Sequence, residues 1–102
     1  MAQKKVRSIV WSKNAASQYY EIMEFLSEKA PEALNTVGNA LLDVAESLTL
    51  EYNNYPPDRF KKNNDGRYRA ALVFSYRVSY YINDTTIDIL RIRHTSREPL
   101  NY

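Results

Sequence analysis

The chain has 102 residues, 44% of them hydrophobic, a formal net charge of +2 and no cysteine. One domain spanning residues 1–102 fits that length, and such a chain buries roughly two-thirds of its unfolded surface without covalent staples. Disulfides and thiolate metal sites are excluded, the single histidine excludes a multi-histidine centre, and the apolar runs are too short for a signal-peptide core or a membrane span, so a soluble cytoplasmic protein without cofactor or metal is expected.

Residues 4–11 are predicted as a first strand, with Val6, Ile9, Val10 and Trp11 as its β-formers. Ser12 suits a helix N-cap, because its hydroxyl can accept from the free amides of the next turn. Ala15, Tyr19, Ile22, Met23 and Leu26 then recur at helical spacing, while Glu21, Glu24 and Glu28 lie elsewhere on the wheel. This helix should stop near Lys29 and Ala30, since the residue before a proline is pushed out of the α region. Pro31 opens a second helix carrying Leu34, Val37, Leu41, Val44, Ala45 and Leu48. Gly38 within it costs about 1 kcal/mol relative to alanine and is expected to permit close approach of the first helix. With so short a connection, the two helices read as an antiparallel hairpin.

Residues 52–58, with Pro56 and Pro57, form a rigid loop, and the polar, turn-rich residues 61–66 deliver the chain to Arg67. Residues 67–94 are β-branched, aromatic or arginine for most of their length, the composition of a meander. A tight turn is placed at residues 73–75 only because a single strand would be too long; a polar turn at 83–86 is plain. The fold class is therefore α+β: an N-terminal strand, a helical hairpin, then a three-stranded antiparallel meander, with the hairpin on one face of the sheet.

Alternation within the strands gives the meander chemical meaning. Tyr76, Val78, Tyr80 and Ile82 share a face, as do Tyr68, Ala70 and Leu72, and Leu90 and Ile92. The opposite face is expected to gather Arg67, Arg69, Arg77, Arg91 and Arg93. Strict alternation also puts Ile87 and Ile89 with Arg91 and Arg93, so part of the basic face must be covered. From residue 55 onward, nine basic side chains meet five acidic ones, so the positive charge lies on the strand-rich half. The competing reading is that these arginines only solvate an exposed sheet.

Metal-free RNA cleavage needs a base for the ribose hydroxyl, an acid for the leaving oxygen and fixed positive charge for the phosphate. Arg77, flanked by Arg67 and Arg69, can supply the charge through bidentate contacts. His94 and Tyr102 are the candidate proton-transfer groups, against the alternatives of a structural histidine and a packing tyrosine. Ser17, Ser75 and Ser96 stand in no nucleophile signature, and no glycine-rich phosphate loop is present.

Val10-Trp11-Ser12-x-x-Ala15, Tyr55-Pro56, Tyr68-Arg69, Tyr76-Arg77-Val78-x-Tyr80, Ile89-Leu90-x-Ile92-x-His94 and Arg97-x-Pro99 together resemble the RelE/ParE toxin superfamily, in order and over essentially the whole chain. The resemblance implies the toxin of a type II toxin–antitoxin (plasmid stabilisation) system, held inactive by a cognate antitoxin, with a heterotetramer as one form of that complex. RelE-like members cleave messenger RNA on the ribosome, which would place Arg77 at the phosphate, Arg69 in support and His94 or Tyr102 at proton transfer. ParE-like members inhibit DNA gyrase. The long helical hairpin and the Arg93-His94-x-x-Arg97-x-Pro99 ending resemble the ParE-like branch, while Ala70 and Ala71 thin the basic cluster of a nuclease. Gyrase binding is the leading expectation, with a ribosome-dependent endoribonuclease and a non-toxic antitoxin-binding relative as alternatives. Arg67, Arg69, Arg77, Arg91, Arg93 and Arg97 are the candidate anion-binding residues, and an acidic antitoxin stretch over the first three would neutralise them.

Overall fold

The computed structural model describes residues 5–97 and Tyr102. Its elements are β1 (Ser8–Trp11), α1 (Lys13–Lys29), α2 (Leu34–Glu51), β2 (Tyr68–Val73), β3 (Tyr76–Ile82) and β4 (Thr86–His94). One sheet in the order β1-β4-β3-β2 contains all four strands, with β1 parallel to β4 and the other pairs antiparallel. The α+β order expected from the sequence, a strand, two helices and a three-stranded meander, is the one observed. Lys4 and Pro99, which entered the sequence reading, lie outside the described residues.

Ser12 caps α1, its Oγ accepting from the Ala15 amide at 3.0 Å. Ala30 leaves the helical region before Pro31, its N–H still closing onto Leu26 O. A single 3-10 turn (Pro31–Ala33) then leads into α2. Ala15 and Leu26 of α1 and Leu41, Ala45 and Leu48 of α2 pack with Val78, Tyr80, Ile87, Ile89 and Ile92 on one face of the sheet. Each fully buried leucine or isoleucine there contributes about 1.5–3 kcal/mol. Tyr80 is wholly buried among them, and its hydroxyl donates to Tyr52 O at 2.6 Å. Where β1 ends, α1 takes over the exposed edge of β4. Ser12 N–H donates to Ile89 O at 2.9 Å, Ser12 Oγ donates to Leu90 O at 2.9 Å, and Gln18 Oε1 accepts from Ile92 N–H at 2.7 Å.

The register corrects the face assignment in two places. Between β2 and β3 the turn is only two residues long, pairing Val73 with Tyr76, Ala71 with Val78 and Arg69 with Tyr80. Opposed residues share a face, so Arg69, Ala71 and Val73 lie on the helix side, while Tyr68, Ala70 and Leu72 join Arg77. The second correction is a β-bulge in β4. Tyr80 pairs with Ile89 but Ser79 with Arg91, leaving Leu90 as the extra residue. That one insertion inverts the alternation: Ile87 and Ile89 face the helices together with Ile92, and Arg91 and Arg93 face away. The predicted conflict between isoleucines and arginines on one face does not arise.

At Gly38 an added Cβ would stand 2.8 Å from Met23 Sδ and 3.4 Å from the Tyr19 hydroxyl, so the glycine marks the close approach of α1 and α2. Met23 can bend away from one methyl, whereas a branched side chain would press on the Tyr19 hydroxyl as well. Gly38→Ala should therefore stay near neutral in urea unfolding, the gain of about 1 kcal/mol in helix propensity offsetting the displaced Met23. Gly38→Val should destabilise by about 1–3 kcal/mol.

Candidate functional site

On the face of the sheet turned away from the helices, Arg77 stands directly opposite Arg93, and Ser79 opposite Arg91. Like charges in opposed cross-strand positions repel, so this arrangement persists against a local cost. The loop before β2 completes the site. Residues 56–58 run beside the outer edge of β2, with Asp58 N–H donating to Tyr68 O at 2.8 Å and Ala70 N–H to Pro56 O at 3.2 Å. Prolines are tolerated at such an edge because their missing donors are not needed there. Asn64 then fixes the return of the chain. Its Nδ2 donates to Tyr68 O at 2.7 Å and to Asp58 O at 3.3 Å, and its Oδ1 accepts from the Gly66 and Tyr68 amides. Gly66 has φ +96°, a conformation suited to glycine.

This loop delivers a carboxylate, Asp58, only 1% exposed, to the basic side of the sheet. Asp58 Oδ1 accepts from Phe60 N–H at 3.0 Å; Oδ2 accepts from Ser79 Oγ at 3.0 Å and from the Tyr102 hydroxyl at 2.6 Å. A buried carboxylate holds its charge only when it is hydrogen-bonded in this way. Tyr102 is held at several points. Its ring centroid is 3.9 Å from the Arg91 guanidinium carbon and 5.4 Å from Lys61 Nζ. Its N–H donates to Phe60 O at 3.0 Å, and its main-chain oxygen accepts from Lys62 N–H at 2.9 Å and Lys61 Nζ at 3.2 Å. Burial, the hydrogen bond to Asp58 and the Asp58 charge all push the Tyr102 phenol above the ordinary tyrosine range. Arg91 shifts downward because burial outweighs the opposing pull of Tyr102 and Asp58, with Arg93 and Arg77 adding to the decrease. Arg77 and Arg59 both lie over the Phe60 ring, at 4.9 and 4.8 Å.

Of the residues singled out in the sequence, Arg77, Arg91, Arg93 and Tyr102 share this face. Arg93 also donates from Nη2 to Arg97 O at 2.9 Å, which ties Arg97 to the end of β4. Arg69 is on the other side. It is spent on loop carbonyls, donating to Tyr55 O at 2.8 Å, Gly66 O at 3.0 Å and Asn53 O at 3.3 Å. Arg67 is at the far end of β2, opposite Ile82, in an exposed ion pair with Asp84 at 3.5 Å. His94 pairs with Tyr76 and so turns to the helix side, its ring edge-on to Tyr76 at 5.2 Å. Its Nδ1 accepts from Ser96 N–H at 3.1 Å and stands 2.8 Å from Ser96 Oγ. Accepting an amide proton leaves Nδ1 unprotonated, so His94 caps the following 3-10 turn (Thr95–Arg97) in this geometry. Asp58, Ser79 and Lys61 were not anticipated. An aspartate after two prolines reads as an ordinary turn former, and nothing local distinguishes one that is buried against a sheet.

His94 also lines an open groove of about 600 Å³ beside α1, with Ile22, Phe25, Leu26, Phe74 and Tyr76, and with Glu21, Arg93 and Arg97 around it. Phe74 is 65% exposed and has φ +53°, and Phe25 is 56% exposed. A left-handed backbone costs a residue with a Cβ about 1–2 kcal/mol, so the turn holds an aromatic ring in water under strain. Among the described residues no three His, Cys, Asp or Glu side chains group to hold a metal ion, and no helix is long and apolar enough to cross a membrane.

The family model of the ParE toxin of the type II toxin–antitoxin system parDE matches residues 9–99. The chain belongs to the ParE toxin family. It is also 28% identical over 89 residues to Toxin RelE2 of Caulobacter vibrioides, covering 87% of this chain and 96% of that protein. Among solved structures, a chain of the chromosomal ParDE system of P. aeruginosa superposes with a TM-score of 0.68 at 16% identity, covering 88% of this chain and 97% of the other. A chain of the RelBE2 toxin–antitoxin complex of Mycobacterium tuberculosis superposes with a TM-score of 0.61 at 21% identity, covering 92% and 97%. The protein is thus a toxin of a type II toxin–antitoxin system, with the RelE/ParE fold.

Burial raises the phenols of Tyr19, Tyr76, Tyr80 and Tyr102 in this toxin, with smaller contributions from Tyr20 at Tyr19, Tyr55 at Tyr80 and Asp58 at Tyr102. A raised phenol favours the folded state while it stays protonated. Its contribution is complete below the ordinary tyrosine value of about 10 and is lost as pH climbs beyond it. Spectrophotometric titration of the nine tyrosines should therefore show an early phase and a late phase that coincides with unfolding. Tyr80→Phe and Tyr102→Phe should each shrink the late phase; ionisation of every tyrosine in one step with the fold intact would contradict this.

Proposed function

We propose that this ParE-family toxin arrests growth in the cytoplasm by binding DNA gyrase, and that a cognate antitoxin holds it inactive. The observation that carries this reading is the separation of the groups an RNA-cleaving site would require. Arg77 has no histidine beside it, because the pairing of Tyr76 with His94 turns His94 to the opposite face of the sheet. The Tyr102 hydroxyl is committed to Asp58 at 2.6 Å, and its raised pKa makes it a poor base at neutral pH. Metal-free cleavage needs its acid and base within hydrogen-bond reach of one ribose phosphate, and among the described residues two titratable groups on this face, Asp58 and Tyr102, are bonded to each other. The match to the ParE family over residues 9–99 supports the same branch.

The partner reading is supported by the solved relatives, two of which are the ParDE system of P. aeruginosa and the RelBE2 toxin–antitoxin complex. The groove beside α1 offers such a partner two exposed aromatic rings, Phe25 and Phe74, with two arginines against one glutamate around it. That chemistry suits an amphipathic segment with an apolar anchor and acidic flanks, ordering as it binds.

Purified toxin is expected to abolish DNA supercoiling by gyrase and to accumulate cleaved DNA, and expression without the antitoxin should induce the DNA-damage response while protein synthesis continues. The gathering of Arg77, Arg91 and Arg93 favours the alternative, a ribosome-dependent endoribonuclease. Immediate translation arrest with cut messenger RNA, and gyrase unaffected at micromolar excess of toxin, would establish that alternative instead.

A further inference from the structure

We infer that Asp58 and Tyr102 are specificity determinants that keep single-stranded nucleic acid off the arginine face of the sheet. Polyanions bind such faces by placing phosphates against guanidinium groups, and each phosphate neutralised adds to the affinity and to its salt dependence. Here the position such a phosphate would take at Arg91 is already filled. The Tyr102 ring covers the Arg91 guanidinium at 3.9 Å, and the buried Asp58 carboxylate puts a fixed negative charge beneath the same surface. Lys61 is drawn in as well, to the Tyr102 main-chain oxygen at 3.2 Å and to the Tyr68 ring at 4.7 Å.

The pairing of Asp58 with Tyr102 is what makes the cover persist. A tyrosine lying alone on an exposed arginine would offer its ring to a passing base, as stacking platforms do. This ring is instead pinned by its hydroxyl to a carboxylate that Ser79 Oγ also holds, and by its main chain to residues 60 and 62. A phosphate approaching Arg91 must displace the ring and then meets the negative charge of Asp58. The face therefore carries Arg91 at its centre without offering it as an open anion site. This extends the gyrase reading above, and its test involves neither gyrase nor ribosomes, so either can fail alone.

The test measures binding of a fluorescein-labelled oligo-uridylate to the purified full chain by fluorescence anisotropy over a range of salt concentrations. Tyr102→Ala is expected to tighten binding about tenfold at low salt and to steepen the slope of log affinity against log salt by about 1, the signature of a newly available phosphate contact. Adding Arg91→Ala should return both quantities to those of the parent. Asp58→Asn, which keeps the shape and removes the charge, should also tighten binding. If Tyr102→Ala, still folded by circular dichroism, binds equally or more weakly, or binds tighter with no change in slope, the inference is wrong and Tyr102 is a stacking or packing residue. Should Tyr102→Ala fail to fold, Tyr102→Phe decides: without its hydrogen bond the ring should yield more readily, giving tighter binding and a steeper slope, and anything else overturns the inference.

Discussion

In β4 the period of two is broken once, at Leu90, and the distribution of charge over the sheet follows from that break. A continuous strand would have to put Ile87 and Ile89 on the same side as Arg91 and Arg93, so either isoleucines would face water or arginines would enter the core. With one residue bulged, Ile87, Ile89 and Ile92 all reach the helices while Arg91 and Arg93 turn out beside Arg77. The bulge is held from the open edge of β4 by α1, where Ser12 Oγ accepts from the Ala15 amide of its own helix and donates to Leu90 O. A helix cap and a strand irregularity thus share one hydroxyl. The N-terminal helix is positioned by the same contact that sorts the arginines.

A face loaded with opposed arginines requires compensation, and the loop after α2 provides it. Asp58 is carried there by backbone pairing with β2 and by the side chain of Asn64, neither of which involves the arginines. Its carboxylate then accepts from an amide, a serine and a tyrosine, so the negative charge is fixed by geometry and not by a mobile ion pair. Charge-assisted hydrogen bonds of this kind are roughly twice as strong as neutral ones. The basic face and the strained, aromatic groove beside α1 are therefore different kinds of surface. One has its carboxylate, Asp58, bonded within the chain. The other keeps Phe25 and Phe74 exposed, Phe74 on a backbone that a bulky residue adopts at a cost, and such strain concentrates where a partner or a switch uses it.

Several elements were legible because their signals are local. Ser12 before an apolar stripe, Pro31 after Ala30, and the polar break at residues 83–86 each fix the backbone within a few residues, and each is where expected. The two-residue turn between β2 and β3 was inferred from strand length alone. Its residues carry no turn signature, and Phe74 takes a positive φ that nothing in its chemistry announces. The family, too, was readable, since its motif residues are spaced along the whole chain.

The amino-acid sequence by itself determined the α+β order, the extents of the helices and strands to within a few residues, the membership in a toxin superfamily and the basic character of the strand-rich half. The order, the extents and the basic character depend on composition and on periodicity along single segments, whereas the membership was read from the resemblance of motif residues spread along the whole chain. Tertiary structure alone decided which arginines share a face, that His94 is parted from Arg77, and that Asp58 meets Ser79 and Tyr102. The physical reason is that face identity in a sheet hangs on parity. A two-residue turn and a single bulged leucine each shift it by one, and both are set by pairing between strands rather than by any preference within them.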